Sequence, residues 1–388
     1  MNNFIYDIPV KVYFGENQLV HLGEELARHG RRVLLVYGGG SIKANGLYER
    51  LAAEIQRAGL ELFELGGIAP NPRIDSVREG AAICKRNNID VILAAGGGST
   101  IDAGKWIAAG ACAEHDPWDF FTKRSPVTKA LPVVTVLTLA ATGSEMDCGG
   151  VISNLETQDK LARMAPVLLP KASFLDPTLT YSVSVYQTAC GAADILSHIM
   201  EVYFNMEQDL YMLDCFMEGM MKTVIKYAPT ALKEPANYEA RANLMWASSW
   251  AINGFASGGR RQAWSCHPIE HELSAVYDIT HGLGLAILTP RWLAYCLDEA
   301  TAPKYAQFGV NVFGIADNQE PMLIAKESIA RLEEFLFETL ELPRTLSAVG
   351  ISQESFAGMA QKACGGRVIP GFKPLAQQDI ENILAMCW

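Results

Sequence analysis

The chain has 388 residues, 49% of them hydrophobic and 19% charged, which is enough apolar sequence for a large core and more length than one ordinary domain uses. Forty-three acidic against 32 basic side chains leave a net charge of −11, which argues against a nucleic-acid or anionic-membrane surface as principal partner and favours a small-molecule enzyme. The nine irregularly spaced cysteines read as reduced thiols of a cytoplasmic protein, and no zinc ribbon is spelled.

The N-terminal MNNFIYDIPVKVYFG alternates like a strand and lacks the charged start and apolar run of a secretory signal. Residues 31–43, RRVLLVYGGGSIK, pass from a compact apolar strand into three glycines, and 48–58 then carry helical spacing. The unit recurs at 90–110, where DVILAAGGGSTIDAGKWIAAG has a buried-type strand, three glycines, and Ser99 and Thr100 placed to cap a helix. LPVVTVLTLAATGSE at 131–145 adds a further strand ending in a Thr- and Gly-rich loop. Repeated strand–turn–helix units predict a parallel sheet flanked by helices. Beyond about 180, segments 186–228, 237–255, 268–277 and 321–340 show helical periodicity. The expected fold is therefore an α/β N-terminal dinucleotide-binding domain with a parallel sheet, residues 1–180, and an all-α C-terminal metal-binding domain, residues 181–388. Pro177 and its small polar neighbours mark the boundary.

Glycines after a strand let a phosphate approach the backbone, and the following helix supplies free amides. Gly96, Gly97, Gly98 and Ser99 meet that need, with Asp102 one turn into the helix; the spacing is not GxGxxG, and a turn serving only packing is the alternative. The first loop, Gly38, Gly39, Gly40 and Ser41 followed by Lys43, carries no acid to hold a ribose hydroxyl. That favours NADP over NAD, with Ser41 and Lys43 as 2'-phosphate partners; a solvated Lys43 is the alternative.

Four of the seven histidines, together with Asp194, fall within 88 residues. Asp194 and His198 stand four apart and project from one helical face. His267 and His281 complete a carboxylate and three imidazoles, a set suited to zinc or ferrous iron. His271, four residues after His267, competes for the third position. HPIEH at 267–271 also matches the H-x-x-E-H of some zinc peptidases, with Glu270 as base, but that reading leaves Asp194, His198 and the glycine loops unexplained.

An ordered series of segments resembles the iron-containing alcohol dehydrogenase family, in its butanol dehydrogenase-like branch of NADPH-dependent aldehyde reductases. The series is VYFG at 12–15, GGIAPNP at 66–72, GGGSTIDAGK at 96–105, LTLAATGSE at 137–145, FLDP at 174–177, the two histidine segments and GFKPL at 371–375. The resemblance implies a dehydroquinate synthase-like architecture with the active site between its two domains. It also implies a metal held by Asp194, His198, His267 and His281, and His271 as the catalytic group beside the nicotinamide. Gly97, Gly98, Ser99 and Asp102 would hold the pyrophosphate, while Asn71, Thr138, Thr142, Ser144 and Lys160 line the rest of the cofactor cleft. The implied cofactors are NADP, with NAD as alternative, and one Fe2+ or Zn2+; the implied assembly is a homodimer acting on a small aldehyde or alcohol. A lyase of the dehydroquinate synthase kind and a non-catalytic nucleotide or metal sensor are the competing classes. Arg260, Arg261 and Cys266 before the metal ligand depart from the branch and point to an altered substrate preference, and Cys148 follows the TGSE loop closely.

Overall fold

A computed structural model describes residues 2–122, 125–207, 209–260 and 263–388. By contacts the chain forms two units, one of residues 7–183 with 235–253, the other of residues 1–6, 184–234 and 254–388.

The first unit is built on a six-stranded parallel sheet in the order β1-β8-β5-β4-β2-β3. The strands are β1 (Lys11–Phe14), β2 (Arg32–Tyr37), β3 (Glu61–Leu65), β4 (Val91–Gly96), β5 (Val133–Leu137) and β8 (Ala172–Leu175). β6 (Gly149–Asn154) and β7 (Asp159–Met164) pair as a separate antiparallel hairpin, which the sequence reading does not foresee. Successive residues of the strands face opposite cores. Leu34, Val36 and Ile92 pack with Trp106 and Ile107 of helix Gly98–Ala111, while Val33, Leu35, Val91 and Leu93 pack with Leu47, Leu51 and Ile55 of helix Leu47–Arg57. Burial on both faces is why these strands read as continuous apolar runs instead of alternating.

The register sets Tyr37 beside Ala95 and Gly96 beside Leu137. The loops that leave β2, β4 and β5 therefore emerge side by side at the carboxyl ends of adjacent strands, where open α/β sheets bind ligands. Helix Tyr238–Ile252, which the sequence pattern groups with the helical half, packs on this unit. Asn237 caps it by accepting from the Ala240 amide, and Ser249 Oγ donates to Glu145 Oε1. Glu145 lies just past β5 and its backbone carbonyl accepts from Ser173 Oγ at 2.6 Å, which in turn accepts from Thr135 Oγ1 at 2.8 Å. This buried polar line ties the helix to the loop after β5.

The second unit is helical. Its principal elements are helices Val185–Tyr203, Tyr211–Lys233, Cys266–Tyr277, His281–Cys296, Ala302–Phe308, Pro321–Glu333, Phe356–Cys364 and Gln377–Met386. Among the described residues its β-type pairing is the single bridge Ile369–Leu375. No helix among the described residues is long and apolar enough to cross a membrane.

Burial pushes the Glu145 carboxyl up to about 7 from an ordinary 4.5. The folded protein then retains a proton that the unfolded chain has already released, so stability falls as pH rises from about 4.5 to about 7. Glu145→Gln removes this dependence. Denaturant unfolding at pH 5 and pH 8 is expected to show the stability difference between wild type and E145Q moving by about 2–3 kcal/mol in favour of the variant at the higher pH. Parallel pH responses would show that Glu145 stays ionised in the fold.

Candidate metal centre and cofactor loops

Helix Val185–Tyr203 starts at Ser184, whose side chain accepts from the Gln187 amide, and it is buried almost throughout. Asp194, His198 and Glu201 occupy one face at i, i+4 and i+7. His198 Nδ1 stands 3.5 Å and His281 Nε2 stands 3.8 Å from Asp194 Oδ1. The His267 ring stacks on His198 with centroids 4.6 Å apart and meets His281 edge-on at 5.3 Å. One donor atom each from Asp194, His267 and His281 lies within 4.8 Å of the others. Adjacent ligands of a tetrahedral cation with bonds of about 2.1 Å stand about 3.4 Å apart. The observed spacing is slightly wider than that, and His198 flanks the trio.

Two carboxylates stand behind these imidazoles. Glu201 Oε2 takes His267 Nδ1 and, at 3.1 Å, the His267 amide, while its Oε1 accepts from the amides of Ser265 and Cys266. Glu270, fully buried, takes His281 Nδ1 on Oε2 and the Ser274 hydroxyl on Oε1. A carboxylate only accepts, so both Nδ1 atoms carry a proton, and in the neutral rings it is Nε2 that has a lone pair to offer. His267 Nε2 is buried with no hydrogen-bond partner among the described residues, a condition rare for a buried polar atom. Burial lowers the His267 pKa, but the charge and hydrogen bond of Glu201 outweigh it and leave it raised; burial and the imidazoles of His267, His281 and His271 hold His198 well below its ordinary value. The donor set fits a divalent metal.

His271 is half-buried, its ring 5.7 Å from that of His281 and 6.3 Å from that of His267, and it shares a second potential cluster with Glu270 and His281. The H-x-x-E-H reading fails on Glu270, whose oxygens are committed to His281 and Ser274 and which is removed from solvent. Arg260 is buried: its guanidinium donates to the Val202 carbonyl at 2.8 Å and to Asp214 at 3.2 Å, with the side chain 1% exposed. These contacts give Arg260 a structural role, and Arg261, named with it in the sequence analysis, lies outside the described residues. Burial raises the Cys148 and Cys266 thiols above their ordinary range, so neither is a ready nucleophile. Trp264, not singled out from the sequence, packs edge-on against His267 at 4.7 Å and His198 at 5.9 Å.

In the α/β unit, helix Gly98–Ala111 begins at Gly98 with Gly97 as its cap, so Ser99 and Thr100 lie inside the first turn instead of capping it. A Cβ on Gly98 would collide with the Thr142 side chain, which shows how closely the loops after β4 and β5 approach. Thr138 and Ser99 are half-exposed there. Asp102 and Ser144 are buried in a polar knot: Ser144 Oγ donates to Asp102 Oδ1 at 2.6 Å, and the Val151 amide donates to Oδ2 at 2.8 Å. Its centre is the fully buried Lys105, whose ammonium donates to Ser144 Oγ, to the carbonyls of Asp147 and Gly149, and to Asp147 Oδ1 at 2.6 Å. Asn71, with left-handed φ of 51°, and Lys160 on β7 are both buried. Gly38, Gly39 and Gly40 follow β2, and a Cβ at Gly39 or Gly40 would meet nothing within 4 Å, an open surface. Lys43 is not simply solvated. It lies over the rings of Tyr37 and Tyr48 at 4.9 and 4.6 Å and stands 3.6 Å from Glu64 Oε2. Glu64 comes from β3, so an acid sits beside a loop that has none of its own.

Residues 9–177 match the model of the iron-containing alcohol dehydrogenases, and residues 188–388 match that of the C-terminal part of the Fe-containing alcohol dehydrogenase family. The chain is 48% identical over 385 residues to NADH-dependent butanol dehydrogenase A of Clostridium acetobutylicum, covering 99% of each. It is 36% identical to the NADPH-dependent aldehyde reductase YqhD of Escherichia coli, covering 93% of each. The crystal structure of an NADH-dependent butanol dehydrogenase A from Thermotoga maritima superposes with a TM-score of 0.95 at 36% identity, covering 100% of this chain and 99% of that one. The metal-type cluster and the strand-end loops accordingly stand in a chain that belongs to the iron-containing alcohol dehydrogenase family.

Proposed function

We propose that the protein reduces small uncharged aldehydes to alcohols with NADH as the preferred hydride donor, and catalyses the reverse reaction, using one divalent metal, Fe2+ or Zn2+. The observation that carries this reading is the convergence of Asp194, His267 and His281, with the buried and unpartnered His267 Nε2 among them. Relatives named as butanol dehydrogenases and as an aldehyde reductase agree with it. Asp194, His198, His267 and His281 would hold the cation, which supplies Lewis-acid polarisation of a carbonyl oxygen. The reduced nicotinamide supplies the hydride, and a solvent proton completes the alcohol.

Each residue then has a task. Asp194 neutralises cationic charge directly, and Glu201 and Glu270 do so through the imidazoles. Three carboxylates against a dication leave the centre about one charge negative, which disfavours carboxylate-bearing aldehydes and suits neutral ones. Trp264 adds an apolar wall beside His198 and His267. His271, half-buried one turn beyond His267, exchanges the alcohol proton with solvent. In the α/β unit, Gly97, Gly98 and Ser99 receive the pyrophosphate at the amino end of helix Gly98–Ala111, with Thr138 and Thr142 from the neighbouring loop. Asp102, Ser144, Asn71 and Lys160 form and support the buried side of that surface, with Lys105 at the centre of the knot. Gly38, Gly39, Gly40 and Ser41 border the adenosine ribose. Lys43, already neutralised by Glu64, is a poor partner for a 2'-phosphate, and the Glu64 carboxylate repels one. We also propose a homodimer, because β1 is an edge strand of its sheet and Phe4, Ile5 and Tyr6 are exposed; light scattering is expected to give twice the 42.4 kDa chain mass, and a monomer mass rejects it.

Protein stripped of metal is expected to leave NADH unoxidised with butyraldehyde and to regain turnover with Zn2+ or, anaerobically, Fe2+. His267→Ala and His281→Ala should lose both metal and turnover, whereas His271→Ala should retain metal and alter the pH dependence of the rate. Equal metal loss in all three rejects this division of roles, and metal-independent turnover in wild type rejects the metal reading. For the cofactor, Glu64→Gln should raise the NADPH to NADH ratio of kcat/KM roughly three- to tenfold. An unchanged ratio would place the ribose away from Glu64.

A further inference from the structure

Two buried carboxylates stand outside the set that would hold the cation, and their partners define a geometric task beyond their charge. We propose that Glu201 and Glu270 are the positioning residues of the metal centre, each holding the Nδ1–H of one imidazole so that its Nε2 faces Asp194, and that Glu201 is at the same time the N-terminal cap of the helix carrying His267. The inference rests on the metal reading above.

For Glu201 the evidence is a complete set of acceptors. Helix Cys266–Tyr277 has Ser265 at its cap position, yet Ser265 makes no capping bond and its Oγ has no partner among the described residues. The amides of Ser265, Cys266 and His267 are taken instead by the Glu201 carboxylate, reaching across from helix Val185–Tyr203. A negative group at that end is favoured by the helix dipole as well as by the hydrogen bonds. The remaining lone pair of Oε2 takes His267 Nδ1. Cap and ring orientation are thus set by one side chain.

Glu270 does a narrower job. It is aimed from helix Cys266–Tyr277 at His281, the first residue of the next helix, and Ser274 one turn on fixes its other oxygen. Space for it comes from Gly284, where a Cβ would stand 2.8 Å from Glu270 Cγ and 2.9 Å from Oε1. No backbone amide depends on the bonds shown for Glu270. A carboxylate behind a ligating imidazole fixes its tautomer and raises its basicity, so its loss weakens metal binding without requiring the fold to fail.

The test measures Zn2+ affinity by competition with a chromophoric chelator, alongside thermal melting of the metal-free protein, for wild type and Glu270→Gln, Glu270→Ala, Gly284→Ala and Glu201→Gln. Glu270→Gln retains an oxygen for His281 Nδ1–H and lacks the charge; it is expected to weaken Zn2+ binding about tenfold with metal-free melting close to wild type, and Glu270→Ala up to about a hundredfold. Gly284→Ala should weaken binding with Glu270 still present. Glu201→Gln presents an amide NH2 where acceptors are needed, so it should lower the metal-free melting temperature as well as the affinity. Wild-type affinity in both Glu270 variants and in Gly284→Ala overturns the positioning role. Unchanged metal-free melting in Glu201→Gln overturns the capping role. A wild type that binds no Zn2+ and no Fe2+ overturns the metal reading itself, and this proposal with it.

Discussion

Three helices of the second unit are joined head to tail by side chains that cannot be buried alone. Glu201 of helix Val185–Tyr203 holds His267 of helix Cys266–Tyr277, Glu270 of that helix holds His281 of helix His281–Cys296, and His281 Nε2 returns to Asp194 of the first at 3.8 Å. A buried carboxylate without a partner costs several kcal/mol, so each link depends on its neighbour being in place. The ring of contacts makes helix packing and ligand geometry the same problem. A shift of any helix by an ångström would leave an acid or an imidazole unsatisfied, and this sets the centre more firmly than packing of Leu and Ile alone.

The α/β unit uses the same device with the charge reversed. Lys105 is fully buried on helix Gly98–Ala111, and its ammonium is answered by Asp147, Ser144 and two carbonyls from the segment following β5. Asp102, one turn earlier, reaches the same segment through Ser144 and the Val151 amide. Helix Gly98–Ala111 is thereby locked to the segment after β5. Bare glycine backbone at Gly97 and Gly98 stays available for a ligand because the stiffness comes from side chains one and two turns further on. Burial pushes the Asp102 carboxyl up to about 6, so the knot depends on Lys105 and Ser144 to keep it ionised at neutral pH.

What was legible in the sequence was local. The strand–glycine–helix units at 31–43 and 90–110, and the i, i+4 pair Asp194 and His198, are patterns within at most 21 consecutive residues, and the structure shows the strands, the turns and the shared helical face. Glu201 lay on that same face, but nothing nearby in sequence told a buried acid from a solvated one; its partners are 64 to 66 residues away. Glu64 was missed for the same reason, since the loop after β2 has no acid and the carboxylate arrives from β3, whose adjacency to β2 is a matter of sheet order. Arg260 was visible as a charge near a ligand, yet its direction was not: the guanidinium turns to Val202 and Asp214. The β6–β7 hairpin escaped because DKLARM at 159–164 carries no run of apolar residues.

Glu270 shows why residue type and spacing do not fix a chemical role. An acid between two histidines on a helix serves as a general base only when it faces a water beside the metal. Here Gly284 leaves room for the Glu270 side chain, Ser274 Oγ donates to one oxygen, and His281 Nδ1 donates to the other. With both oxygens used and no exposure to solvent, the carboxylate has no proton to collect and acts on chemistry only through the imidazole it orients. The residue that decided this was a glycine fourteen positions downstream, invisible to any pattern drawn around HPIEH. In a centre of this kind, the distinction between a group that reacts and one that positions is made by the small residues that determine which way it can point.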